Sequence, residues 1–107
     1  MSIQTKMEEE NREIVELENG VHRENKEGKG RCDLLQSKAL LRISKRLELG
    51  AKKYSDRDWN KGKGIPENML LDSAMRHLLQ YMSIEETEDH LAACVTNLLQ
   101  LMEQQEK

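Results

Sequence analysis

Apolar residues are spread unevenly along the 107-residue chain, and their spacing changes from one segment to the next. Residues 1–11 show no periodicity and include Glu8, Glu9 and Glu10, so a disordered start is expected, followed by a single domain over 12–107. Between Arg12 and His22 the apolar residues Ile14, Val15, Leu17 and Val21 flank Asn19-Gly20. Both residues of that dipeptide tolerate positive φ, which predicts a short N-terminal β-hairpin. Glu24 to Gly30 is polar and reads as a loop. Ser37 can cap a helix running to about Leu49, with Leu40, Leu41, Ile43 and Leu47 on one side and Gly50 as its stop. Lys52 to Gly64 is a long polar stretch, expected to be an ordered loop. Pro66 suits the first turn of a second helix through Leu70, Leu71, Ala74, Met75, Leu78 and Leu79 to about Met82. After a break at Ser83 to Glu86, Thr87 can cap a third helix from Glu88 to about Gln104. Its seam is expected at Leu91, Cys94, Val95, Leu98, Leu101 and Met102.

Composition sharpens this into a fold class. The chain has no Phe, one Trp and two Tyr, so its interior must be built from Leu, Ile, Met and Ala, a palette that favours helices over sheets. A mainly α fold is expected: a bundle of three to four helices preceded by the hairpin. A chain of this size buries only about two thirds of its unfolded surface. With so little aromatic mass, helix faces are expected to be buried between copies in a homodimer or homotetramer. No run of 18 apolar residues exists, and the N-terminus is charged where a signal peptide needs an apolar stretch; a cytoplasmic protein with no membrane partner is expected. Cys32 and Cys94 lie far apart and form no CxxC motif, so both read as reduced thiols, Cys94 as a small core residue.

Charge is segmented. Residues 1–28 hold 4 basic and 8 acidic side chains (net −4), residues 29–63 hold 11 and 4 (net +7), and residues 64–107 hold 2 and 8 (net −6). A basic middle followed by an acidic helical half suits an anionic substrate with a divalent cation, although two solvated faces would look the same. On the second helix Asp72 and Arg76 share a face, as do Ser73 and His77. They form either an exposed ion-paired stripe or a site with Asp72 near a metal and Arg76 or His77 facing phosphate. Glu85, Glu86, Glu88, Asp89 and His90 crowd the start of the third helix, where acidic groups also complement the helix dipole. Antiparallel packing of the two helices would bring Asp72 and His77 into one bundle with Asp89, His90 and Asn97, and carboxylates on facing helices can build a metal site. Oxygen ligands without thiolate point to Mg²⁺ or Mn²⁺. Lys29, Arg31, Lys52, Lys53, Arg57, Lys61 and Lys63 lie in or beside loops, free to converge on phosphate. Tyr54 and Trp59 among them could stack on a base or plug the end of the bundle. There is no Walker loop and no Rossmann fingerprint, and the acidic balance argues against stable nucleic-acid binding.

Five ordered motifs carry a resemblance. They are Gly30-Arg31-Cys32-Asp33-Leu34-Leu35; Gly50-Ala51-Lys52-Lys53-Tyr54; Asp56-Arg57-Asp58-Trp59-Asn60-Lys61-Gly62; Asp72-Ser73-Ala74-Met75-Arg76-His77; and Glu88-Asp89-His90-Leu91-Ala92-Ala93 with Asn97. Over roughly residues 18–102 the chain resembles the phage-associated dATP/dGTP diphosphohydrolase family, which looks like a branch of the all-α, MazG-like nucleotide pyrophosphohydrolases. The resemblance implies a bacterial or phage-encoded hydrolase that cuts purine (deoxy)nucleoside triphosphates to monophosphate and pyrophosphate with Mg²⁺, adjusting nucleotide pools. Asp72, Glu88 and Asp89 would be metal ligands, and Asp72, His77, Asp89 and His90 the catalytic set. Arg76 and Asn97 would line the pocket with the two histidines, Arg23, Arg31, Lys52, Lys53, Arg57 and Lys61 would take phosphates, and Tyr54 and Trp59 would sit on the base side or be structural. Where the family has a second histidine after Leu-Ala, this chain has Ala93. A catalytically inactive nucleotide-binding module and a helical interaction module are the alternatives.

Overall fold

A computed structural model describes residues 14–106. The disordered segment expected over 1–11, and Arg12 at the start of the expected hairpin, lie outside the described residues. What is described is mainly helical, and falls into two compact units divided after Leu35.

In the first unit, β1 (Ile14–Glu16) pairs antiparallel with β2 (His22–Glu24), Val15 opposite Arg23. The hairpin is present, but its turn is not the two-residue one that Asn19-Gly20 suggests. Gly20 N donates to Leu17 O at 2.9 Å and Leu17 N to Val21 O at 2.8 Å, and of the pair only Gly20 has positive φ, +84°. This is a three-residue loop: a β-turn closed by a left-handed glycine. Asn19 instead uses its side chain, whose Oδ1 accepts from Val21 N at 3.1 Å. A short 3₁₀ turn, Cys32–Leu34, ends the unit, with Arg31 gripping Asp33 through two bonds of 2.8 Å.

The second unit holds α1 (Ser37–Lys53), a 3₁₀ turn (Asp58–Asn60), α2 (Glu67–Met82) and α3 (His90–Gln105). None is long and apolar enough to cross a membrane. Helix α1 runs through Gly50, the expected stop, because Ala51, Lys52 and Lys53 are sound helix formers, Lys52 pairs with Glu48 one turn back, and two lysines suit a helix C-terminus. Ser37 is its first residue and not its cap; Gln36 precedes it without a side-chain bond. At α2, Pro66 stands one place before the helix and its carbonyl accepts from Met69 and Leu70. At α3 the cap is Asp89, whose Oδ1 accepts from Ala92 N at 3.1 Å, and not Thr87. Aspartate is the stronger cap, and the Thr87 hydroxyl is engaged with Glu85 and His90.

Helix α3 is central: it packs most extensively on α2 and also on α1 and the 3₁₀ turn. Three cross-helix pairs fix α2 and α3 as antiparallel: Ile65 with Gln104, Ser73 with Asn97, His77 with His90. The core is Ile43, Leu70, Ala74, Ala92, Ala93, Cys94 and Leu101, with His90 and Thr96 as buried polar members. Of the expected seam, Cys94 and Leu101 are buried and Leu91 and Val95 half-buried, while Leu98 and Met102 are exposed. Covered on two sides by α1 and α2, α3 buries several faces near its start, where the buried residues after His90 are the small Ala92, Ala93, Cys94 and Thr96. On α1 just Ile43 is buried; Leu40, Leu41 and Leu47 are exposed.

Two local features set how α2 is held. Before it, the Gln104 amide clamps the Ile65 backbone, accepting from N and donating to O, both at 2.8 Å. After it, Ile84 adopts φ +58°, a left-handed position that normally falls to glycine, and Glu85 N reaches back to Gln80 O at 3.1 Å. For a β-branched residue this is strained. Replacing Ile84, 80% exposed, by Gly is expected to raise the melting temperature by about 2–4 °C, because relief of left-handed strain outweighs the added chain entropy. Gln104→Ala is expected to cost about 1–2 kcal/mol in urea denaturation, because it strips two partners from half-buried backbone.

Candidate functional site

Helix α2 offers two polar faces, and each meets a different part of α3. On one, Asp72, Ser73 and Arg76 join Asn68 and Asn97 along an open groove of about 650 Å³, floored by Ile65, Met69 and Leu70. Arg76 Nη2 donates to Asp72 Oδ2 at 2.7 Å across one helical turn, and Asn97 Nδ2 donates to Ser73 Oγ at 2.9 Å across the helix pair. Asp72 is 75% exposed, so its charge is held near the groove without burial. An arginine, a carboxylate and two carboxamides on an apolar floor can receive a polyanion with its cation at one end and an uncharged ring on the rest.

On the other face, His77 meets the start of α3. His77 Nδ1 lies 2.9 Å from His90 Nδ1, and Glu88 Oε1 lies 3.8 Å from the first and 3.7 Å from the second. Among the described residues this is the group of three His, Cys, Asp or Glu side chains whose donor atoms lie within 4.8 Å of one another. His90 is 2% exposed. Its Nε2 faces Thr87 Oγ1 at 3.3 Å and Glu85 Oε1 at 3.8 Å. Burial, with Arg46, Arg76 and His90 nearby, holds His77 below the ordinary histidine range, against the pull of Glu88.

The acidic pair Glu88-Asp89 is gripped from α1. Arg46 Nη1 donates to Glu88 Oε2 at 2.6 Å, and Arg42 binds both oxygens of Asp89 at 2.7 Å. These hydrogen bonds hold both carboxyls below their usual range. Arg42 and Arg46 were not among the expected site residues, because cations in loops are freer to converge on a ligand than cations on a helix. Their four-residue spacing on a helix, matched to two adjacent acids, was the available signal.

The residues expected from sequence are thus distributed. Asp72, Arg76 and Asn97 share the groove, while His77, Glu88 and His90 form the cluster beside it. Asp89 caps α3 and binds Arg42, and so lies outside that cluster. Lys52 pairs with Glu48, Lys53 lies over the Tyr54 ring at 5.3 Å, and Lys61 pairs with Asp58 at 2.8 Å. Arg57 and Trp59 lie at the 3₁₀ turn, Arg57 in a left-handed conformation and Trp59 half-buried. None of these lines the groove. Arg23 and Arg31 belong to the first unit.

This assembly of α2 and α3 falls inside a region that matches a known family. Residues 19–107 match the family described as dATP/dGTP diphosphohydrolase, N-terminal, and the chain belongs to it. Comparison with curated proteins and with solved structures gave no match.

Asp89 has two separable structural tasks, so its variants are expected to differ. Asp89→Ala loses the cap and the Arg42 pair and should destabilise the protein by about 1–2 kcal/mol. Asp89→Asn keeps an oxygen for Ala92 N and should lose roughly half as much; thermal unfolding of the two variants checks the order.

Proposed function

We propose that the chain hydrolyses Mg²⁺-bound purine deoxynucleoside triphosphates, dATP and dGTP, to monophosphate and pyrophosphate in the cytoplasm. The observation that supports this reading is the groove in which Asp72, Arg76 and Asn97, three residues of the family's motifs, stand together on two helices. The substrate in this reading is the magnesium complex of the triphosphate. Mg²⁺ is commonly held by one or two carboxylates plus substrate phosphates, so the single carboxylate Asp72 suffices as its protein anchor. Glu88 and Asp89, expected to share that role, spend their charge on Arg46 and Arg42. Arg76 is bound to Asp72 through one nitrogen and presents further donors to phosphate oxygens. Asn97 and Asn68 offer hydrogen bonds to sugar or base, and the floor of Ile65, Met69 and Leu70 supports a flat ring.

The test is release of pyrophosphate and monophosphate from a panel of dNTPs with Mg²⁺. Turnover of dATP or dGTP is expected, and Asp72→Asn and Arg76→Ala are each expected to lower kcat/KM by about 100-fold or more. Stability should barely move, since an exposed i, i+4 pair contributes only about 0.3–0.5 kcal/mol. Binding without turnover would replace this proposal with a nucleotide-binding module, and neither activity would leave a helical interaction module. A homodimer or homotetramer belongs to the same reading, supported by the exposed Leu40, Leu41 and Leu47 on α1; light scattering on the purified protein measures it.

A further inference from the structure

The geometry points to a binding site for one zinc-class transition-metal ion between α2 and the start of α3, with His77 Nδ1, His90 Nδ1 and Glu88 Oε1 as its ligands. The site goes beyond nucleotide hydrolysis and does not depend on it.

Distances carry the inference. The three donor atoms form a triangle with sides of 2.9, 3.7 and 3.8 Å. The point equidistant from them lies ~2.0 Å from each, which is the length of a zinc bond to imidazole nitrogen or carboxylate oxygen. Full tetrahedral geometry asks the two nitrogens to part and the carboxylate oxygen to close in, each by a few tenths of an ångström, movements side-chain torsions supply. Two imidazoles and one carboxylate suit zinc, cobalt or nickel; Mg²⁺ prefers an all-oxygen set. Three protein ligands leave the fourth position for water.

The surroundings have the form that supports such a site. A ligating histidine normally gives its other ring N–H to a hydroxyl or carboxylate, which fixes the tautomer. His90 Nε2 faces Thr87 Oγ1 and Glu85 Oε1, so its Nδ1 is left with a lone pair aimed at His77 and Glu88. Thr87 is itself oriented by donating to Glu85 at 3.1 Å. Arg46 takes the far oxygen of Glu88, holding the carboxylate in place and leaving Oε1 for the ion. The imidazole of His90 is buried in the core, so the ligand frame is rigid on that side. Without a metal, two imidazole nitrogens at 2.9 Å share a single proton, one as donor and one as acceptor, and a metal bound beside both would take the place of that hydrogen bond.

Cobalt reports on such a site by visible absorption. Metal-free protein, without nucleotide, is titrated with Co²⁺. One equivalent is expected to bind with the intense visible bands of four-coordinate cobalt, to be displaced by Zn²⁺ and to be insensitive to millimolar Mg²⁺. His77→Gln and Glu88→Gln are each expected to weaken binding by about 100-fold or more. Cys32→Ser should leave it unchanged, because that exposed thiol is not among the three clustered donors. Glu88 is partly exposed, so its variant keeps the helical circular dichroism that shows a folded chain. Failure of the folded wild type to bind one equivalent, or equal binding by both variants, would overturn the site. Nucleotide turnover is not read in this titration, so the two proposals stand or fall separately.

Discussion

The structure depends on how closely three helices can approach at the beginning of α3. Ala92, Ala93, Cys94 and Thr96 are buried there, and no side chain among them is larger than a threonine. Backbones can then converge until polar side chains of α1 and α2 reach across to α3. Arg42 and Arg46 reach Asp89 and Glu88 from one side, and His77 reaches His90 from the other. A large apolar residue at Ala92 or Ala93 would push the helices apart, and these bonds, all of 2.6–2.9 Å, would be lost together.

That convergence also decides the electrostatics. At this point cations from the basic middle of the chain meet acids from its final part. Arg42 and Arg46 sit against Asp89 and Glu88, the acids opening α3, so these four charges are paired internally. Beside these pairs stand the groove with Asp72 and Arg76, and the two imidazoles with the inner oxygen of Glu88. Two neighbouring faces of one helix thus differ in chemical character: one charged and open, one nitrogen-rich and partly buried.

Much of this was readable from the sequence. The three helices follow from 3.6-residue periodicity and the hairpin from its glycine, and the pairing of Asp72 with Arg76 follows from spacing. Element ends were less legible, because Gly50 can continue a helix as well as stop one, and Thr87 and Asp89 compete for the same cap. The seam of α3 was legible at Leu91, Cys94, Val95 and Leu101, which are buried or half-buried, and failed at Leu98 and Met102, which are exposed. Among site residues, the joining of Asp72, Arg76 and Asn97 rests on antiparallel packing, which local pattern only suggests. The arginines of α1 are only weakly distinguished by sequence, because a helical cation is most often a solvated one. The link between His77 and His90 is long-range, and no spacing rule encodes it.

The three polar pairs between α2 and α3 act as a ratchet. Gln104 with Ile65, Asn97 with Ser73 and His90 with His77 are spread along the pair, about two turns apart on α3 and about two turns and then one turn apart on the α2 side. Small apolar residues alone would let one helix slide on the other at little cost. A slip by one turn, about 5.4 Å, would break all three pairs at once and strand their polar groups. The alignment of the two helices is therefore set digitally, by which rungs match, and everything mounted on them inherits that alignment.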